Sequence, residues 1–323
     1  MIRSLVIGVA ATLLFGCTGQ NAGNGADTGT SAGTASAQNV KVPAFNADSA
    51  FALLKKQVAF GPRVPGTPGH EAQLAWMQSY LRDRADSVIT QNITHTYRGK
   101  STRMANVVAK FNPGASQRVL LVAHWDTRPT ADHDPVPANR SKPIPGANDG
   151  ASGVAVLMVL ADMFKNNPPP IGVDLLFTDG EDWEEGDMYI GAKHFAGNLP
   201  PGYAPLYGIL IDMIGDQDPV FLIEDTSQRE APEVVDRVWR TAATLGLSDI
   251  FRRTLGGGVS DDHDALIAAG IHTIDIIDQQ YGAPVSGAFG EYWHTTNDTV
   301  EHTSPKGLDA VGRVLAYLVY SGG

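Results

Sequence analysis

Cysteine is almost absent. The chain of 323 residues holds one, Cys17. Nothing downstream of it can form a disulfide, and no thiolate is available there as nucleophile or metal ligand. Any metal held by the folded part must take carboxylates and imidazoles, which suits zinc. A basic stripe is missing too. Lys and Arg number 24 against 35 Asp and Glu, a formal net charge of -11. That balance argues against nucleic acid as a partner. No G-x-S-x-G elbow and no phosphate loop occurs, so the serine-nucleophile and nucleotide-cradling chemistries lose their usual signatures. The apolar run over 5–15 is too short to span a bilayer.

What is present starts with that run. Arg3 precedes it and Gly16-Cys17 follows it, so residues 1–17 read as a secretory signal. Leu14-Phe15-Gly16-Cys17 resembles a bacterial lipobox, in which the cysteine is lipidated and becomes the mature N-terminus. An ordinary signal peptide with a chance cysteine is the lesser option. Residues 18–43 are nearly all Gly, Ala, Ser, Thr, Asn and Gln and cannot bury a core. They read as a flexible tether. With a lipid on Cys17, the tether is a leash between a bacterial membrane and an exported domain. Thr18 after the cysteine, rather than Asp, favours the outer membrane and periplasm by analogy with bacterial lipoproteins.

The folded domain is expected over 44–323. Phe51, Leu54 and Val58 recur at helical spacing, with Asn46 and Asp48 as candidate caps. The loop over 60–70, FGPRVPGTPGH, predicts a shaped turn region. Leu74, Met77 and Leu81 predict a second helix. Strands are expected over 88–97, 104–111 and 119–123, then a long Pro- and Asp-rich loop over 127–145. Loops of that length in compact domains are usually functional or disordered. An apolar helix over 151–164 is stopped by three prolines, and the strand Gly172–Thr178 follows. Next come a short helix near 191–196, strands over 207–211 and 220–223, and a helix over 232–245. A short helix opened by Ser260-Asp261-Asp262-His263 leads to the strand Thr273–Ile277. Ser304 and Pro305 begin a final helix. Strands and helices alternate without repeat. The simplest fold is one α/β domain, a mixed and mostly parallel sheet with helices on both faces.

Acids and histidines gather where apolar strands end. DLLFTDGEDWEEGD (174–187) runs apolar, breaks at Gly180 and presents Glu181 beside Asp182. Such sheets place ligands at strand carboxyl ends. One of two adjacent carboxylates can hold a metal while the other moves protons; the bland alternative is a solvated acidic loop. His124 and Asp126 lie two apart at a strand end, where Asp126 can accept the His124 ring N–H. Asp149 lies beside Gly150 ahead of a helix, either as a plain cap or as a carboxylate near an ion. Asp212 ends the clean run YGILID, and a buried Asp needs a partner. Of Asp261 and Asp262, one is expected to cap the helix and leave the other free to act. His294 follows Trp293 in a loop. His70, His95, His133 and His302 are read as surface residues.

These motifs, AHWDTRP (123–129), GANDGASG (146–153), FTDGEDW (177–183), YGILIDMIGD (207–216), SDDH (260–263) and YWHTTNDT (292–299), occur in this order in the zinc-aminopeptidase superfamily. More narrowly the chain resembles glutaminyl-peptide cyclotransferases, the glutaminyl cyclases. The resemblance implies one zinc on Asp149, Asp182 and His294, with Glu181 as general acid/base. It implies an acidic network of Asp212 and Asp261 beside Glu181, and a substrate pocket walled by Trp293 and Phe289. Peptide or protein N-termini would be the substrate. In two-zinc aminopeptidases, the runner-up, the residues matching His124 and Asp212 hold a second zinc. A binding lipoprotein without catalysis is a third reading. Two departures stand out. The central pair is Glu-Asp rather than Glu-Glu, and the disulfide of the vertebrate-type enzymes cannot form.

Overall fold

The computed structural model describes residues 41–184, 186–286 and 289–323. The signal segment, Cys17 and the tether up to residue 40 lie outside them. Among the described residues no helix is long and apolar enough to cross a membrane. The strands are β1 (Ser87–Tyr97), β2 (Lys100–Phe111), β3 (Arg118–His124), β4 (Gly172–Thr178), β5 (Gly208–Asp212), β6 (Phe221–Ile223), β7 (Phe251–Leu255) and β8 (Thr273–Ile277). The helices are α1 (Ala47–Val58), α2 (Pro68–Arg82), α3 (Ala151–Asn166), α4 (Ile190–Gly197), α5 (Asp225–Glu230), α6 (Pro232–Thr244), α7 (Asp262–Ala268) and α8 (Pro305–Tyr320).

Six strands form the central sheet in the order β1-β2-β4-β3-β5-β8. The pairs β4–β3, β3–β5 and β5–β8 are parallel; β1–β2 and β2–β4 are antiparallel. The β1–β2 hairpin closes through Arg98 and Gly99, both at positive φ, the two-residue turn that matches strand twist. The parallel strands β4, β5 and β8 are buried at every position, as strands covered on both faces must be.

Alternation along the strands sorts two cores. Val119, Leu121 and Ala123 of β3, with Val173, Leu175 and Phe177 of β4, face α1, α3, α6 and α8. Leu120 and Val122, with Leu176 and Leu210, face Phe195 of α4 and Leu266 of α7. Each such side chain contributes about 1.5–3 kcal/mol by leaving water. Helix α3 is buried without interruption from Ala151 to Ala161. Its Gly153 is required there, because a Cβ would sit 2.5 Å from the Ile211 carbonyl oxygen. This close packing brings the start of α3 to the end of β5.

Asn46 caps α1 by accepting the Ser49 N–H, and Ser304 caps α8. The strand expected over 220–223 is not in the central sheet. It is β6, which pairs with β7 in a separate two-stranded sheet. Helix α5 and strand β7 have no counterpart in the sequence reading; both are short, and β7 is exposed beyond its first residue, so neither carries a burial period.

Candidate active site

The parallel strands end on one rim, and the turns that follow carry the acids. β3 ends at His124 and β5 at Asp212. After β4 the chain turns through Gly180 at φ +69 and delivers Glu181 and Asp182. Two carboxylates fix that turn. Asp179 accepts the Ala105 N–H at 2.6 Å and meets His70 Nε2 at 2.9 Å. Asp126 accepts the backbone N–H groups of Glu181 at 3.2 Å and Asp182 at 3.3 Å. Asp126 therefore does not serve chiefly as the His124 acceptor; its Oδ1 lies 3.6 Å from His124 Nδ1. His70 corrects the sequence reading. It is buried, stacked on Trp125 and bound to Asp179, so it is part of the scaffold under the turn. His133 is exposed, and His95 and His302 are partly so.

Asp149 does not cap α3; the cap position is Gly150, with no side-chain bond. The backbone N–H groups of Asn148 and Asp149 donate instead to Asp298, at 2.8 and 3.1 Å, and Tyr281 Oη donates to the same carboxylate at 3.0 Å. This leaves the Asp149 carboxylate facing the rim. Gly150, at φ +94, serves close packing rather than an ion, since a Cβ would lie 2.4 Å from the Asp126 carbonyl oxygen. At α7 the cap and the cleft-facing acid are one residue. Asp261 caps the helix, while Asp262 is held by Thr178 Oγ1 at 2.5 Å and is not the free partner.

Two trios result, sharing Asp149. The inner is His124, Asp149 and Asp212; the outer is Asp149, Asp182 and His294, and each can bring its donor atoms within 4.8 Å of one another. In the inner trio His124 Nε2 lies 3.1 Å from both Asp149 Oδ1 and Asp212 Oδ1. In the outer, His294 Nε2 lies 3.4 Å from Asp182 Oδ1 and 3.7 Å from Asp149 Oδ2. Asp182 Oδ2 is buried without a hydrogen-bond partner among the described residues. His294 sits at φ +53, a conformation that costs a non-glycine residue on the order of 1–2 kcal/mol. Two carboxylates, one imidazole and an unpartnered buried oxygen fit a small divalent ion such as zinc.

Burial and charge separate the acids. Burial, then Asp261, raise the Glu181 carboxyl well above the ordinary range. Burial, then Asp212 and Asp262, do the same for Asp261. Asp182 goes the other way. Burial opposes its charge, but His294 and Arg128 outweigh it and bring it to about 2. The neighbouring carboxyls Glu181 and Asp182 are thus shifted in opposite directions.

A cleft of about 310 Å³ opens over these groups, walled by Met188, Tyr189, Val259, Phe289 and Trp293. Trp293 stacks on His294 at 3.7 Å between centroids, and Phe289 meets it edge-on at 4.9 Å. His133 packs on Trp293 at 4.3 Å, so this exposed imidazole extends the wall. A larger hollow of about 440 Å³ beside α2 and the β1–β2 hairpin includes only His70 of this machinery, already committed to Asp179.

Sequence reading gave no role to Arg128, Asp132, Arg63, Asp179, Tyr189 or Asp298. Arg63, fully buried, donates to the carbonyls of Pro145 and Gly146 and so holds the segment before Asp149. Tyr189 donates its backbone N–H to the Glu181 carbonyl at 2.9 Å and its hydroxyl to the Ser260 carbonyl at 2.7 Å, spanning the two acid segments. Arg128 within AHWDTRP was the nearest available signal, a cation adjoining a strand-end acid pair.

The profile of Peptidase family M28 matches residues 106–319. Glutaminyl-peptide cyclotransferase of Bos taurus is 26% identical over 294 residues, covering 80% of this chain and 77% of its own. Among solved structures, Tannerella forsythia glutaminyl cyclase is 39% identical with a TM-score of 0.82, covering 86% of this chain and 99% of its own. A Zn-dependent exopeptidase from Parabacteroides distasonis is 38% identical with a TM-score of 0.83, covering 87% and 99%. With an α/β sheet presenting acids and imidazoles on one rim, the chain belongs to peptidase family M28, on the glutaminyl-cyclase side of the zinc-aminopeptidase superfamily.

Proposed function

We propose that the chain is a glutaminyl-peptide cyclotransferase that converts the N-terminal glutamine of peptides or proteins to pyroglutamate and releases ammonia. The observation that carries this reading is Glu181. It is buried next to an outer metal trio, faces a second acid, and opens on an aromatic cleft. The likeness to the Tannerella and Bos taurus enzymes supports it.

Asp149, Asp182 and His294 would hold zinc, which when bound supplies Lewis acidity toward the amide oxygen. The substrate's α-amine nitrogen forms a bond to its own side-chain amide carbon, and the bond from that carbon to the amide nitrogen breaks. Glu181 takes a proton from the attacking amine and delivers one to the departing nitrogen, which leaves as ammonia. Such a group must gain and lose a proton near neutrality, and burial with Asp261 alongside moves Glu181 in that direction. Asp261 and Asp212 complete the acid network that shares the proton. Attack is intramolecular, so Trp293 and Phe289 serve by holding the folded-back conformer.

The inner trio favours a second reading, an aminopeptidase with two zincs in which Glu181 activates water. The deciding experiment offers the enzyme a Gln-initiated and a Leu-initiated peptide and follows both by mass. Loss of ammonia from the first with the second intact is expected. Release of a free N-terminal residue would sink the cyclase.

We further propose that the domain is exported and anchored through a lipid on Cys17, with the outer membrane and periplasm favoured. The lipobox-like Leu14-Phe15-Gly16-Cys17 supports this. Cys17→Ala should move the protein from the membrane fraction to the soluble one; an unchanged distribution would refute the anchor.

A further inference from the structure

A guanidinium lies where a metal-binding site would ordinarily exclude one. Arg128, almost fully buried, donates from Nη1 to Asp182 Oδ1 at 2.7 Å. The same side chain grips Asp132 with two bonds, Nε at 2.8 Å and Nη2 at 2.9 Å. Asp132 in turn lies 3.4 Å from His294 Nδ1, the ring nitrogen turned away from the trio. One ion pair therefore touches both Asp182 and His294, and with opposite charge.

We propose that Arg128 and Asp132 are positioning residues that set the donor strength of the outer trio in opposite directions. The inference rests on the reading that this trio holds zinc. The Asp132 carboxylate, 3.4 Å from His294 Nδ1, favours a proton on that nitrogen and so the tautomer that presents Nε2, and makes Nε2 a stronger donor. Arg128 holds Asp182 Oδ1, the same oxygen that lies 3.4 Å from His294 Nε2, so it competes with the ion for that oxygen. Its positive charge also draws electron density from that carboxylate and repels a dication at twice the strength it would a single charge. The arrangement gives up affinity and keeps the ion electron-poor, which is what polarising a neutral amide oxygen demands.

The test is zinc affinity of the full chain, read by competition with a chromogenic chelator. Asp132→Asn should weaken zinc about 10–100-fold, in line with the loss of other outer partners of metal-bound histidines. Arg128→Met should tighten zinc by about tenfold or more while lowering kcat. In the cobalt-substituted protein both variants should shift the visible d–d bands. A wild type that takes up no zinc overturns the reading of the trio and this inference with it. A wild type that binds zinc, with both variants weakened or both within about twofold, overturns the inference alone. If Arg128→Met does not fold, Arg128→Lys keeps a charge without the fork to Asp132. It should then weaken zinc like Asp132→Asn, and wild-type affinity would overturn the clamp.

Discussion

The two trios share Asp149 and the same ligand types, yet they are satisfied differently. In the inner one His124 Nε2 reaches two carboxylates at 3.1 Å, so the atoms that face one another there are already paired. Burial works against charge on that ring, but Asp212 foremost, with Asp126 and Asp149, outweighs it and holds the imidazole well above its ordinary range. In the outer trio the ring stands off at 3.4 and 3.7 Å, and Asp182 Oδ2 has no partner among the described residues. Equal ligand lists therefore do not imply equal ion sites; what counts is whether the ligands can satisfy each other.

The largest effect sharpens the role of the acid set between the trios. Glu181→Gln should lower kcat by about 10²–10⁴-fold, the usual worth of a general acid/base, with zinc still bound. Retained turnover would remove Glu181 from proton transfer. The next breaks the inner trio. His124→Ala leaves Asp149 and Asp212 facing each other in the interior and should destabilise by about 3–5 kcal/mol in denaturant melts. Metal analysis of wild type and variant should both give one zinc per chain. Two in the wild type and one in the variant would mean that the trios are equivalent after all.

Removing the metal gives a pH signature of intermediate size. Burial foremost raises Asp262, Asp278 and Asp298 to about 7. Their unfolded values lie near 3.9, so between about 4 and 7 the folded state binds more protons than the unfolded one. Stability of the metal-free protein should fall as pH rises through that window. Its Tm should be higher at pH 5 than at pH 8, and the reverse order would refute the assignment. The smallest effect concerns the strap across the acid segments. Tyr189→Phe removes the donor to the Ser260 carbonyl and should cost about 0.5–1.5 kcal/mol of stability. No change in Tm would show that this bond is replaced by water.

Much of the fold was legible because burial leaves a period. β4 and β8 are apolar enough to be read with both boundaries, and α8 with its start. β7 shows one buried residue in five and gave no signal. The site divided along a similar line. Strand-end acids and His124 stand out because a polar residue closing an apolar run is improbable without a task. Arg128 and Asp132 lie in a loop without periodicity, and only the folded chain shows that they meet. His70 was misread because its partner Asp179 lies 109 positions away. For Asp261 and Asp262 one cap and one free acid were expected, but Asp261 takes both roles, since adjacent acids look alike until Asp262 is seen bound to Thr178.

Asp298 ties down Asn148 from 150 positions along the chain. A contact of that separation is expected to form late, because closing so long a loop costs entropy that only a largely assembled core repays. The residues proposed to hold zinc, Asp149 and His294 beside it, meet only once that closure is complete. Zinc should then leave the refolding rate nearly unchanged and slow unfolding instead, since it stabilises an arrangement absent from the transition state. Stopped-flow refolding with and without the metal reads this directly, and faster folding with zinc would contradict it. The metal would act as a lock on a finished molecule rather than a seed for its folding.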